Sequence, residues 1–161
     1  MAEPGGDDWK KRLKAMGLAR QRVRPGTRAE SVRASRTHRT GAHVVHGREG
    51  EDAAALYLSE RGLEILARNV RYKDCELDLV CLDGPAVVFV EVKWRHDAER
   101  GTAAEGVTPR KRMRIVRAAR RWLLENPKAS RAGNRDVRFD VVAIQEEPFA
   151  IEWIRGAFDA S

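Results

Sequence analysis

Glu76, Asp78, Glu91 and Lys93 interrupt two apolar runs in the stretch CELDLVCLDGPAVVFVEVKWR, Cys75 to Arg95. Side chains alternate along a strand, so Glu76 and Asp78 share one face of the first run, and Glu91 and Lys93 share one face of the second. A hairpin register that sets Asp78 opposite Glu91 brings two carboxylates together with an ammonium beside them. Charges buried without partners cost several kcal/mol, so something must compensate them. A hard divalent cation does so: Mg²⁺, or Mn²⁺ in its place, takes oxygen ligands from one or two carboxylates, waters and substrate phosphates. Lys93 would then orient an activated water or offset the charge that develops at phosphorus. Glu51, on the helical face of Ala54 and Leu58, can add a third oxygen. The same residues admit a plainer reading, an ion-pair cluster at the end of a sheet with no metal. Glu76 lies further from the strand end, where an arginine would satisfy it.

The elements that must hold these side chains are legible in the periodicity. GREGEDAAALYLSERG opens with acids, spaces Ala53, Ala54, Leu56, Tyr57 and Leu58 helically and stops at Gly62, which predicts a helix. LEILARNVRY predicts a strand, ELDLVCL and AVVFVEVKW a hairpin about Asp83-Gly84, and RFDVVAI and AIEWI two later strands. Between them TPRKRMRIVRAARRWLLEN predicts a helix with Met113, Val116, Ala119 and Leu123 on its apolar face, closed by Asn126-Pro127. The order is α-β-β-β-α-β-β, with no internal repeat.

Basic side chains crowd the second helix. Arg110, Lys111, Arg112, Arg114, Arg117, Arg120 and Arg121 follow one another without an acid, and Arg110, Arg114, Arg117 and Arg121 form one stripe opposite the apolar face. Such a stripe suits the tracking of phosphates, or it is an ordinary solvated face. Like charges one turn apart cost helix stability, which favours the nucleic-acid reading. His43 and His46 have metal-like spacing without further ligands, and His96, just past the second hairpin strand, can visit the site. Trp94 points away from Lys93 and is expected beneath a helix. Cys81 reads as a small core residue, and Asp140 as an ion-pair partner that orients the basic helix.

The 161 residues fit one domain with length to spare, and a hydrophobic fraction of 42% suffices for a single core. A net charge of +7 points to a polyanionic partner. That charge is uneven: residues 1–46 hold eleven basic and four acidic side chains, which leaves twenty of each beyond them. With little large apolar material beyond Trp9, Leu13, Met16 and Leu18, this segment cannot bury a core and is expected to be a disordered basic extension. The globular domain is expected over residues 47–161. Cys75 and Cys81 lack the spacing of a metal knuckle or a disulfide framework, which points to a reducing cytosol. No run approaches the ~20 apolar residues of a membrane span, and the N-terminus lacks a secretory core. A cytoplasmic protein without a membrane partner is expected.

Asp78, followed by Glu91-Val92-Lys93 at the end of an apolar strand, resembles the PD-(D/E)xK signature of restriction-endonuclease-like nucleases. Glu51 stands where Holliday junction resolvases of that fold carry an acidic helix residue. More closely, the chain from about Gly47 to Phe158 resembles the YraN family of small bacterial proteins. The matching stretches are Gly47-Arg48-Glu49-Gly50-Glu51, Asn69, Glu76-Leu77-Asp78-Leu79, Phe89-Val90-Glu91-Val92-Lys93, Gly101, Lys111, Arg138-Phe139-Asp140-Val141 and Ala157-Phe158. The resemblance implies an α/β, restriction-endonuclease-like fold with a central mixed sheet flanked by helices. It implies metal-dependent phosphodiester cleavage or structure-selective binding of nucleic acid, DNA in preference to RNA. Asp78 and Glu91 would be metal ligands, Glu51 an auxiliary ligand, Lys93 the activator and Mg²⁺ or Mn²⁺ the cofactor. A homodimer is also implied, since many nucleases of this fold cut two strands that way. Cys75 departs from the family, which usually carries glycine there, with backbone freedom that cysteine lacks. Two rival readings remain: a non-catalytic nucleic-acid-binding module, and an adaptor whose neutral domain contacts a protein while the basic arm tethers it.

Because the arm carries the whole net charge, deleting residues 1–46 is expected to leave a folded domain with sharply lower non-specific DNA affinity. The log–log salt slope should flatten by about 0.9 for each phosphate that the arm no longer neutralises. A slope that is unchanged by the deletion, measured by fluorescence anisotropy across a salt series, would mean that the arm does not touch phosphates.

Overall fold

A computed structural model of the chain describes residues 41–95, 105–131, 135–145 and 150–161, with side chains described from residue 48 onward. The expectations for residues 1–40, His96 and Gly101, and for the side chains of His43 and His46, lie outside the described residues. The first helix, α1, spans Gly41–Ser59 and so begins six residues ahead of the predicted helix. A truncation that keeps it whole removes residues 1–40. It ends on Gly62, whose φ of +89° lets Gly62 N donate to Ser59 O at 3.0 Å and Leu63 N to Leu58 O at 3.1 Å.

Five strands follow, in sheet order β1-β2-β3-β4-β5: Glu64–Arg71, Glu76–Asp83, Ala86–Arg95, Val137–Gln145 and Ala150–Phe158. The first three form an antiparallel meander, β3 and β4 run parallel, and β4 and β5 are antiparallel. The parallel step needs a crossover, which contains helix α2 at Pro109–Glu125 and a single turn, α3, at Pro127–Ser130 that the periodicity did not disclose. This is the α/β architecture of the restriction-endonuclease-like fold, a mixed sheet between helices.

Each face of the sheet has its own core. Val87 and Phe89 turn toward α2, and Val88 and Val90 toward α1. The central strand β3 is therefore apolar at every position to Val90, as a strand covered on both sides must be. Phe89 stacks on Phe139, Phe139 on Phe158, and Trp122 of α2 meets Phe89 edge-on with centroids 5.9 Å apart. That contact sets the rotation of α2. Its buried stripe is Ile115, Val116, Ala118, Ala119 and Trp122, while Met113, expected inside, is 58% exposed. On the other face a Cβ added at Gly50 would stand 3.0 Å from the Trp94 ring, so glycine lets α1 lie directly over Trp94 as expected.

Asp140 differs from its expected role. It is fully buried and accepts hydrogen bonds from Arg138 Nε and Nη2, Trp153 Nε1 and Gly156 N, all within 2.8–2.9 Å, and orients no basic helix. The physical reason lies in β5. Between Phe139↔Phe158 and Val141↔Ile154 that strand bulges, and Gly156, at φ +59°, turns its N–H onto the carboxylate. Arg138 also reaches Asp83, which pairs in turn with Arg155. Arg138→Met should cost about 3–5 kcal/mol in urea denaturation, because it strands a buried charge. Arg155→Met, at an exposed pair, should cost about 0–1 kcal/mol. Equal costs would show that the Asp140 network contributes no more than a surface pair.

Candidate functional site

The ladder between β2 and β3 runs as far as Leu79↔Val90, and one further step sets Asp78 against Glu91 on the face toward α2. There the strands part. Val92 N donates to Asp78 Oδ2 at 2.8 Å, so a carboxylate replaces the next backbone acceptor. Glu91 is 5% exposed and is held by two ammoniums: Lys111 Nζ ion-pairs with its Oε1, and Lys93 Nζ lies 3.9 Å from the same oxygen. Lys111 comes from the first turn of α2. Thr108 caps that turn by accepting Lys111 N on Oγ1 at 3.3 Å, and Pro109 fixes its start.

The electrostatics follow from this crowding. Burial pushes the Asp78 carboxyl well above its ordinary value, the Glu91 charge adds to the rise, the Val92 N–H offsets part of it, and Glu51 raises it further. Burial also raises Glu51, with partial relief from a hydrogen bond to the Asn69 side chain and further pressure from Glu76. Glu51 Oε2 is buried without a hydrogen-bond partner among the described residues. Burial works against the Lys111 ammonium, yet the Glu91 charge and hydrogen bond outweigh it and its pKa rises.

The structure thus brings Asp78, Glu91 and Lys93 together, with Glu51 close enough to act on Asp78. Glu76 pairs with Arg71 at 3.1 Å, as anticipated. Arg110, Arg114, Arg117 and Arg121 are all exposed on α2. Arg121 is the exception in kind, because it bonds Glu125 at 2.8 Å and stands over the Tyr72 ring. Lys111, beside the stripe, turns to the acids, and Arg112 turns inward to Val107 O at 2.8 Å.

Sequence reasoning leaves two participants without a role in the acidic site. Lys111 lies off the Arg110-Arg114-Arg117-Arg121 stripe by helical position, a usable signal. Asn69 is a poor strand former at the middle of β1 and has φ +52°, which asparagine tolerates better than most residues. Its side chain bonds Glu51 from that conformation, and such backbone strain gathers at functional sites. Cys75 adopts no positive φ, so the glycine usual in the family is not required there for the turn. Its thiol is pushed up by burial, with Lys111 acting against and Glu91 and Asp78 with that shift, which places it beside the acids.

Among the described residues no three His, Cys, Asp or Glu side chains stand close enough together to hold an ion as they are. Mg²⁺ asks for less, one or two carboxylates completed by water and phosphate. Asp78 and Glu91 meet that demand with hard oxygen donors, and the unsatisfied Glu51 Oε2 offers another. The donor chemistry fits a divalent ion.

Residues 50–144 match the Uncharacterised protein family UPF0102. The chain is 50% identical over 115 residues to a UPF0102 protein of Frankia casuarinae, across 70% of this chain and 94% of that protein. It is 43% identical over 111 residues to one from Vibrio cholerae, across 69% and 89% respectively. For a UPF0102 protein of Dechloromonas aromatica the identity is 45% over 117 residues, across 73% and 91%.

Asp78→Asn tests the crowding. The amide still accepts Val92 N–H but carries no charge, so the metal-free protein should melt higher. An acid whose folded pKa is raised penalises the fold once ionised. The wild type should therefore lose stability relative to the variant as pH rises through the folded-state value of Asp78, and the two should converge below the usual aspartate range. The gap should reach about 1.4 kcal/mol for each pH unit between folded and unfolded values. A lower melting point at neutral pH would mean that Asp78 is a satisfied structural acid.

Proposed function

The chain belongs to the UPF0102 family, that of the YraN proteins within the PD-(D/E)xK nuclease-like superfamily, and on that premise we propose that it is a metal-dependent nuclease acting on DNA. One observation carries the reading. Two carboxylates of neighbouring strands meet where the β2–β3 ladder ends, with Lys93 Nζ 3.9 Å from one of them. A structural salt bridge would need one acid; here Asp78 is left crowded by Glu91 and by Glu51.

Asp78 and Glu91 would hold Mg²⁺ or Mn²⁺, with Glu51 as the auxiliary ligand through its buried Oε2. A bound divalent ion supplies polarisation of the phosphoryl group and a water of lowered pKa. Lys93 would orient the attacking water and donate from Nζ to the phosphoryl oxygens where negative charge grows. Arg110, Arg114 and Arg117 fix the backbone on the exposed side of α2, which positions the substrate without reading bases. Two copies of the chain would be needed to cut both strands of a duplex in one event. Among the described residues no helix is long and apolar enough to cross a membrane.

A second reading, a DNA-binding module without catalysis, draws on the pairing of Glu91 with Lys111, which neutralises the acid without metal. The two separate in one assay: linear, single-stranded, flapped and four-way-junction DNA and matched RNA, each with Mg²⁺ or Mn²⁺. Cleavage is expected on at least one DNA. Lys93→Ala should lower its rate by about 10²–10³, the usual cost of losing a group that stabilises transition-state charge, while metal-induced stabilisation persists. Metal binding with every substrate left intact would establish the second reading.

A further inference from the structure

We propose that Lys111 is a tethered cation that fills the divalent-ion position beside Glu91 and leaves it for phosphate docked on α2, so that metal loading and DNA binding are linked. The inference rests on the nuclease reading for the identity of the ion.

Three features lead to it. First, Glu91 Oε1 has two ammoniums, of unequal freedom. Lys93 stands on β3 with a side chain 28% exposed, while Lys111 stands at the start of α2 with 41% exposed. Lysine is a compact charge on a flexible four-carbon stem, so Lys111 can swing away without moving the helix. Second, it has somewhere to go. Arg110 precedes it and Arg114 lies one turn further on, both exposed, so a phosphate held between them is within reach of the same ammonium. Third, the pair leaves the acids incompletely served. One monovalent charge answers Glu91, but Asp78 stays crowded and Glu51 Oε2 unpartnered among the described residues. A divalent ion in that position would serve two or three carboxylates where Lys111 serves one, and with Lys111 in place no three acids among the described residues converge on one point.

An intramolecular competitor weakens metal binding, and any ligand that draws it away strengthens it. By linkage, DNA and metal then raise each other's affinity by one common factor. Without DNA, a metal ion must compete with the protein's own lysine for the site.

The test titrates full-length wild type, Lys111→Gln and Lys111→Arg with Mg²⁺ by calorimetry. Lys111→Gln is expected to bind Mg²⁺ about 10–100-fold tighter, the worth of a hydrogen bond between charged groups, and Lys111→Arg, which keeps the charge, much as wild type. A second readout needs only the wild type with ¹⁵N-labelled lysine. The Lys111 ammonium signal, expected to be protected in the free protein by its ion pair with Glu91, should lose that protection on saturation with Mg²⁺, and also on addition of a short duplex without metal. Should the glutamine variant fail to fold, this signal decides. Equal Mg²⁺ affinities with a Lys111 signal indifferent to metal would overturn the displacement and leave the nuclease reading standing. Absence of Mg²⁺ binding in all three proteins would overturn both.

Discussion

A carboxylate that is 5% exposed requires positive charge within a few ångströms, and Glu91 places that requirement part-way along the strand around which the sheet is built, just past its ladder with β2. The surrounding architecture answers it. β3 carries Lys93 two residues on, the Thr108-Pro109 cap fixes where α2 begins and so where Lys111 falls, and the hairpin turn with Gly84 at φ +56° sets the register that brings in Asp78. Shifting that register by one residue would move Asp78 to the α1 face and leave Glu91 against an apolar neighbour.

The same fold contains a second buried acid that shows what a structural one looks like. Asp140 has four donors on its two oxygens, from an arginine, an indole and a backbone amide supplied by a glycine bulge. Asp78 has a backbone donor in Val92 and two carboxylate neighbours that raise it, and Glu51 has an orphaned oxygen. Proteins satisfy buried polar groups almost everywhere, so the unsatisfied set is informative. Asp140, beside Val90 in the ladder, is satisfied by protein donors alone. Asp78 and Glu51, by contrast, are answered only in part by the donors around them.

Local pattern disclosed most of the frame. Alternation and turn residues point to the five strands in order, the Asp83-Gly84 hairpin, and through it the opposition of Asp78 to Glu91. Thr108-Pro109 and Asn126-Pro127 mark α2 within a residue at each end. What stays hidden depends on tertiary contact. The rotation of α2 is decided by Trp122 against Phe89, which no helical wheel contains, so periodicity alone puts Met113 in the core. Asp140 finds its donors through a bulge in β5 that displaces pairing by two residues, and alternation cannot register that. Lys111 is one of seven similar bases until the helix start is fixed in space.

The charge distribution is divided accordingly. Residues 47–161 carry equal numbers of acidic and basic side chains, and two like-charged groups stand out, the acids Glu51, Asp78 and Glu91 and the arginines along α2. Lys111 belongs to both groups, by sequence to the helix and by contact to the acids. A polyanion laid on α2, as proposed above, would pull on that one residue in competition with Glu91. Opposing pulls on a single flexible ammonium would be enough to connect a binding surface to a buried carboxylate, with no movement of the backbone between them.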